Sequence, residues 1–447
     1  MSLYDDTLAL LQDLIRNACV NEFHADSGHE VRNVETLEEF FADVDVSVQR
    51  FEPHPGRVSA AFTVPGADTT AEPLTFLGHI DVVPVDAAQW TKPPFDAIIE
   101  DGKLYGRGAV DMLFITAAQA AVTREIARAA QAGNSPAGTL TFVALADEEA
   151  RGGLGAGWIA RNKPDAFSWK NCLSETGGSH LPARDGSDAI GFNVGEKGAG
   201  QRRLHVHGDA GHGSTPFGKD LAIVKIGEVA RRIAAAQPPA VSNETWEGFV
   251  RAFKFDADTE ARLRAGVGED TDYENFGDLA AYAHAFSHTT IAQTVLRAGS
   301  AINVLPSHAW LEMDIRPFPG QTQEDLDNFL RAALGELADE VEIEHLICED
   351  ATHSEPSGPL WDAIVSTTKE FFPTADVIPV HATGGSDLRF ARRLGGTAFG
   401  FAMHARARDM ASANSQLHSH DEHLFLEDLD LTVKAYNSLA RKFLGLL

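Results

Sequence analysis

Cysteine is scarce in this chain of 447 residues: only Cys19, Cys172 and Cys348, widely separated and odd in number. That count excludes a disulfide framework, fits the reduced thiols of a cytoplasmic protein, and leaves imidazole and carboxylate as the ligands for any metal. Positive charge is also short. Against 65 Asp and Glu stand 37 Lys and Arg, a formal net charge of -28. A field of that sign repels nucleic-acid backbones and anionic membrane surfaces, so neither is expected as a partner. No uninterrupted apolar run approaches the roughly 18 residues that cross a bilayer. The first residues, MSLYDDTLALLQDLIRNA, place Asp5 and Asp6 where a secretory signal carries Lys or Arg, and their apolar spacing is that of an amphipathic helix.

What is present is an ample apolar fraction, 44%, in a chain long enough for two domains or one large one. The chain is organised around Thr139–Glu149, TLTFVALADEE, a short apolar run that reads as a buried strand and ends in Asp147, Glu148 and Glu149. Three adjacent carboxylates near a core raise one another's pKa or gather a cation. The same grammar recurs. A strand at about 74–78 ends in His79 and Asp81, and one near 169–173 ends in Glu175. A long Ala-rich helix from about Asp111 to Ala132 separates the first two of these three strands, giving a βαβ unit and a largely parallel sheet whose ligands gather at the carboxyl ends of the strands.

Composition shifts after Gly195. GEKGAGQRRLHVHGDAGHGSTPF reads as a strand with a Gly-rich exit; a helix at about 221–235, strands at about 292–298 and 309–315, a helix at about 324–338 and a strand at about 340–347 follow, the strand, helix, strand, strand, helix, strand pattern of a ferredoxin-like α+β unit. A polar stretch at 241–288 without period-2 pattern reads as a partly helical insertion. After Ser354 the α/β pattern returns. The expected organisation is a catalytic domain in two parts, 1–195 and 353–447, with a lid and dimerisation domain, 196–352, inserted between them.

Alternation along an extended strand puts His79 and Asp81 on one face, so that His79 can ligate a metal while Asp81 supports it. Asp111 falls at a helix start, where it can be a ligand or a helix cap. Glu148 and Glu149 diverge, so one can bind metal while the other faces the attacking water, the division of labour that metal-assisted hydrolysis requires.

HIDVVPV, W-x(3)-PF, DGKLYGRGAVDM, ADEE, ETGG, GHGSTP, INVLP, DIRPFPG and HSHDE occur in that order along the chain. Together they resemble the di-zinc aminoacylase and carboxypeptidase family of metallopeptidases, peptidase family M twenty. The resemblance implies two zinc ions, with cobalt or manganese as possible occupants. His79 and Glu175 would hold one, Glu149 and His418 the other, and Asp111 would bridge them. Asp81 would support His79, and Glu148 would be the general base. His418 rests on the family's H-x-x-x-E spacing, matched with Glu422; His420 is the rival ligand. The inserted unit resembles the family's lid. His212, acting in the partner subunit's site, and Asn303 would stabilise the oxyanion, and Arg316 would face a substrate carboxylate. Gly384, Gly385, Ser386 and Asp387 resemble a pocket loop.

Leu113, where the family often has Lys, and Asp421, where it has Asn, depart from the pattern without touching a proposed ligand. The function implied is a homodimeric metal-dependent hydrolase, carboxypeptidase- or dipeptidase-like, cleaving a peptide or N-acyl amide bond of a small carboxylate-bearing substrate. The alternatives are a deacylase of the acetylornithine or succinyl-diaminopimelate type and an inactive binding homologue.

Overall fold

The computed structural model describes residues 2–268 and 271–446. At its centre lies a six-stranded sheet in the order Ser47–His54, Arg57–Val64, Leu140–Leu145, Leu74–His79, Asn171–Ser174, Thr397–Gly400. The first two joints are antiparallel and the remaining three parallel. Every residue of Leu74–His79 and Leu140–Leu145 is buried, as expected for strands covered on both faces. Three parallel neighbours therefore deliver His79, the 147–149 turn and Glu175 to one edge of the sheet.

The Leu113–Gln131 helix crosses this sheet with its alanines buried. Its approach is close: a Cβ at Gly78 would meet Gln119 Oε1 and Thr116 Oγ1 at 2.7 Å. Only glycine fits there, and Thr116 then donates to the His79 carbonyl at 2.9 Å. This helix starts at Leu113 with Met112 at the cap position and no side-chain cap bond, so Asp111 is not used as a cap.

Beside the main sheet, Ala189–Glu196 pairs in parallel with Asp376–Ala382 and antiparallel with Gly177–Leu181 and Thr352–His353. The chain then enters a four-stranded antiparallel sheet in the order Thr290–Ala298, His308–Arg316, Ala199–His207, Val341–Glu349. Helices Ala222–Ala235 and Gln323–Leu334 share an apolar core with it, which includes Leu204, Val229, Leu311 and Leu330. The chain crosses into and out of this unit side by side, with Thr352 paired to Glu196 and Glu349 to Ala199.

Among its described residues the 241–288 stretch forms the α-helices Glu244–Ala252, Ala257–Ala265 and Ala280–Ser287 and the 3-10 helix Tyr273–Leu279. They do not join the core of the four-stranded unit. Trp246, Phe249, Phe253, Phe276 and Phe286 bury themselves instead with Leu181, Ala189, Val380 and Met410, on the sheet of the larger body. Among the described residues no helix is long and apolar enough to cross a membrane.

Candidate metal centre and substrate cavity

At the carboxyl edge of the parallel strands two donor triads meet, His79, Asp111 and Glu175, and Asp111, Glu149 and His418; in each, the donor atoms lie within 4.8 Å of one another. Asp111 belongs to both. Its Oδ1 is 3.1 Å from His79 Nε2 and its Oδ2 3.2 Å from His418 Nε2. His418 Nε2 is also 3.3 Å from Glu149 Oε2. Neither His420 nor His423 enters a triad; the His423 ring turns to the Asp421 carbonyl and packs on Tyr105.

Two anchors hold the triads in place. Glu422 is fully buried and takes four donors: Arg107 Nη1 at 2.6 Å and the amides of Gly108, Val110 and Asp111 at 3.1, 2.7 and 3.1 Å. It fixes the GRGAVD loop, and with it Asp111, against the terminal motif. Arg57, 1% exposed, spans the buried carboxylates of Glu30 and Asp147 at 2.8 and 2.6 Å and secures the turn before Glu148.

Asp81 behaves differently from the alternation argument. The strand stops at His79, so alternation does not carry to Asp81, and His79 Nδ1 meets the Asp81 carbonyl at 3.0 Å with the carboxylate at 3.6 Å. The carboxylate accepts instead from the Glu148 and Glu149 amides, both at 3.2 Å, and from Asn21 at 2.8 Å.

The charge distribution fits a cation. Among the described residues no Lys or Arg pairs with Asp111, Glu149 or Glu175, and Glu149 Oε1 is buried without a hydrogen-bond partner. Burial, reinforced by Asp111, pushes Glu149 up to about 7 and drives Glu175 well above the usual carboxylate range. His418 is drawn up to about 10 by its hydrogen bonds to Asp111 and Glu149. Buried carboxylates with only imidazole to neutralise them are a donor set of the kind that holds first-row metals.

A cavity of about 590 Å³ opens directly on this centre. Glu148 lines it, with its carboxyl raised well above its ordinary value by burial. Arg316 and Gly385 line it as well, the Arg316 Nε lying 2.9 Å from Asp314 Oδ1. His212 and Asn303 do not. They sit on the Gly211–His212 and Val304–Leu305 ribbon and the turn leading into it, where the His212 amide neighbour Gly213 donates to the Asn303 carbonyl at 2.7 Å, away from this chain's own cavity.

Residues that sequence reasoning did not single out complete the lining. Arg389, buried, lies 3.8 Å from Glu148 and 3.6 Å from Glu349; Arg151 pairs with the same Glu349 at 2.8 Å, and Arg393 lies 3.7 Å from it. Lys197 donates to the His288 carbonyl and Thr290 Oγ1 and is brought down to about 7 by burial and by Arg316. A signal for Arg389 was available, since it stands three residues after Ser386 of the glycine loop; none marked Lys197 or Tyr282.

A model of "Peptidase family M20/M25/M40" matches residues 75–442. The Homo sapiens N-fatty-acyl-amino acid synthase/hydrolase PM20D1 is 25% identical over 352 residues, covering 75% of this chain and 68% of that protein. An M20 family metallo-carboxypeptidase from Sulfolobus solfataricus superposes with a TM-score of 0.71 at 16% identity, covering 98% of this chain and 99% of that one. Human carnosine dipeptidase 1 superposes with a TM-score of 0.66 at 14% identity, covering 99% and 96%.

Proposed function

The chain belongs to peptidase family M20/M25/M40 and is thereby a metal-dependent hydrolase of amide bonds; from that premise we propose a carboxypeptidase- or dipeptidase-like enzyme acting on small peptides or N-acyl amino acids that carry a carboxylate. One observation carries the reading: two ligand triads share Asp111 at the wall of a cavity that also holds Glu148.

His79, Asp111 and Glu175 would hold one zinc ion, and Asp111, Glu149 and His418 a second, with cobalt or manganese suited to the same donors. When bound, such a pair supplies Lewis-acid activation of the scissile carbonyl and of water. The chain's own groups do the rest. Glu148 takes the proton of the attacking water and returns it to the leaving amine, and its raised proton affinity suits a group that must do both. Asp81 keeps the 148–149 turn in place through the two amides it accepts. Arg316, whose planar fork pairs bidentately with carboxylates, receives the substrate's charged end beside Gly385.

A homodimer completes this reading. The Thr290–Ala298 strand is an open sheet edge, and Phe217, Ile302 and Val304, near the His212 ribbon, are largely exposed. Pairing across that edge would bring His212 and Asn303 to the partner's cavity, where their donors meet the developing oxyanion. The three free cysteines accord with a cytoplasmic location.

The test is metal content together with hydrolysis of N-acetyl, N-succinyl and dipeptide substrates before and after chelation. About two metal ions per chain, with turnover lost on chelation and restored by metal, is the expected result. A protein that binds no metal and turns over none of the panel sinks the reading.

A further inference from the structure

Ser179, Asn193 and His404 are buried, line the cavity and belong to neither donor triad. Strand register gathers them. Ser179 lies opposite Gly191, and Asn193 follows Gly191 by two residues in the same strand, so its side chain leaves the sheet on the same face. The His404 amide donates to the Gly178 carbonyl at 3.2 Å, next to Ser179, and the His404 ring packs against Phe114, which also lines the cavity. Neither the Ser179 hydroxyl, the Asn193 carboxamide nor His404 Nε2 bonds another described residue, and none of these atoms is sealed from solvent. The His404 ring is held by its other nitrogen. Its Nδ1 lies 3.3 Å from Asp428 Oδ2, and Asp428 is fixed in turn by the Ala405 amide at 2.8 Å and Arg408 Nε at 2.7 Å. A carboxylate only accepts, so Nδ1 carries the hydrogen and Nε2 of the neutral ring is left as an acceptor. Arg408 offsets the Asp428 charge, and the cluster offers hydrogen bonds rather than an ionic partner.

Resting on the amidohydrolase reading, we infer that Ser179, Asn193 and His404 form a polar specificity subsite: the preferred substrates carry, besides their carboxylate, a neutral group that both donates and accepts, a carboxamide. The match is chemical. A carboxamide has two N–H donors and one carbonyl acceptor; His404 Nε2 accepts, the Asn193 side chain gives and takes, and the Ser179 hydroxyl does either. A bound substrate displaces the water that otherwise solvates these atoms. A hydrocarbon group would leave them buried and unpaired, a loss of roughly tenfold for each, whereas a carboxamide replaces the bonds it displaces. A cavity without such a cluster gives the reverse order, because a carboxamide buried without partners is the costlier group.

The experiment compares kcat/KM of the metal-loaded protein within two isosteric pairs, N-acetyl-asparagine against N-acetyl-leucine and succinamoyl-glycine against isocaproyl-glycine, which offer the carboxamide on either side of the scissile bond. Calorimetry measures binding of succinamate and isocaproate to the same protein. Expected is a preference of at least about tenfold for the carboxamide member of one pair, and tighter succinamate binding. Asn193→Leu should cut that preference at least about tenfold, and Ser179→Ala should lower it as well; a merely structural role would scale both members of a pair alike. Turnover with a smaller preference in both pairs overturns the inference, whatever the binding. Absent turnover with tighter succinamate binding overturns the hydrolase reading and leaves the subsite standing, and absent turnover without that difference overturns both.

Discussion

Replacing Glu422 by Gln changes no volume and tests the anchor beneath Asp111. A carboxylate offers about four acceptor sites, and this one meets four donors: Oε2 receives Arg107 and the Gly108 amide, Oε1 the Val110 and Asp111 amides. Gln keeps one oxygen and turns the other into an NH2, which faces two donors with hydrogens of its own. The better of its two orientations keeps Arg107 paired and strands the Val110 and Asp111 amides. Each stranded buried donor costs roughly 1–3 kcal/mol, so Glu422→Gln should lose about 3 kcal/mol in urea unfolding of the metal-free protein. Because the stranded amides flank Asp111, metal affinity should fall roughly 10- to 100-fold, read by competition with a chromogenic chelator. A change under about 0.5 kcal/mol with unaltered affinity would refute the assignment of Glu422 as the anchor.

Glu148→Gln should lower turnover at least about 10²-fold while metal content stays unchanged, if Glu148, which belongs to neither donor triad, is the proton carrier proposed above. Subunits carrying Glu148→Ala and subunits carrying His212→Ala, each inactive alone, should regain activity when mixed; no recovery would sink the shared site. His381 is buried and held down to about 3 by that burial and by His353. A depressed base contributes stability that is full above its ordinary 6.5 and is lost as pH falls toward 3. Acid unfolding should therefore steepen between pH 6.5 and about 3, by at most about 1.4 kcal/mol per pH unit, and His381→Phe should flatten the curve there; a parallel curve would exclude His381 as its source.

Three donors of the candidate centre, His79, Glu149 and Glu175, were legible because each follows an apolar strand in HxD, DEE or ETGG, whereas Asp111 was read equally as a helix cap and His418 came only from the resemblance's H-x-x-x-E spacing. The strand ends converge whenever such strands are parallel neighbours, and they are. Asp81 was legible as a site residue but not in its bonding, because two-residue alternation holds only while the strand continues and the strand ends at His79. The Arg151, Glu349, Arg389 and Arg393 cluster draws on segments far apart in the chain, and no local spacing announces it. The 241–288 helices show the same limit. Their aromatic residues pack against Val380 and Met410, more than ninety positions away, so the stretch read alone lacks a reason for its pattern.

The paired crossing at Glu196 with Thr352 and Ala199 with Glu349 bears on ancestry. Antiparallel partners stand only ~5 Å apart, so the four-stranded unit leaves the larger body through an opening no wider than a hairpin. A gene could acquire, exchange or lose such a module by recombination between those two codon boundaries without rerouting any strand that carries a metal donor. Descendants of this architecture can thus vary the unit that brings Arg316 to the cavity while inheriting the metal-donor edge of the larger body unchanged.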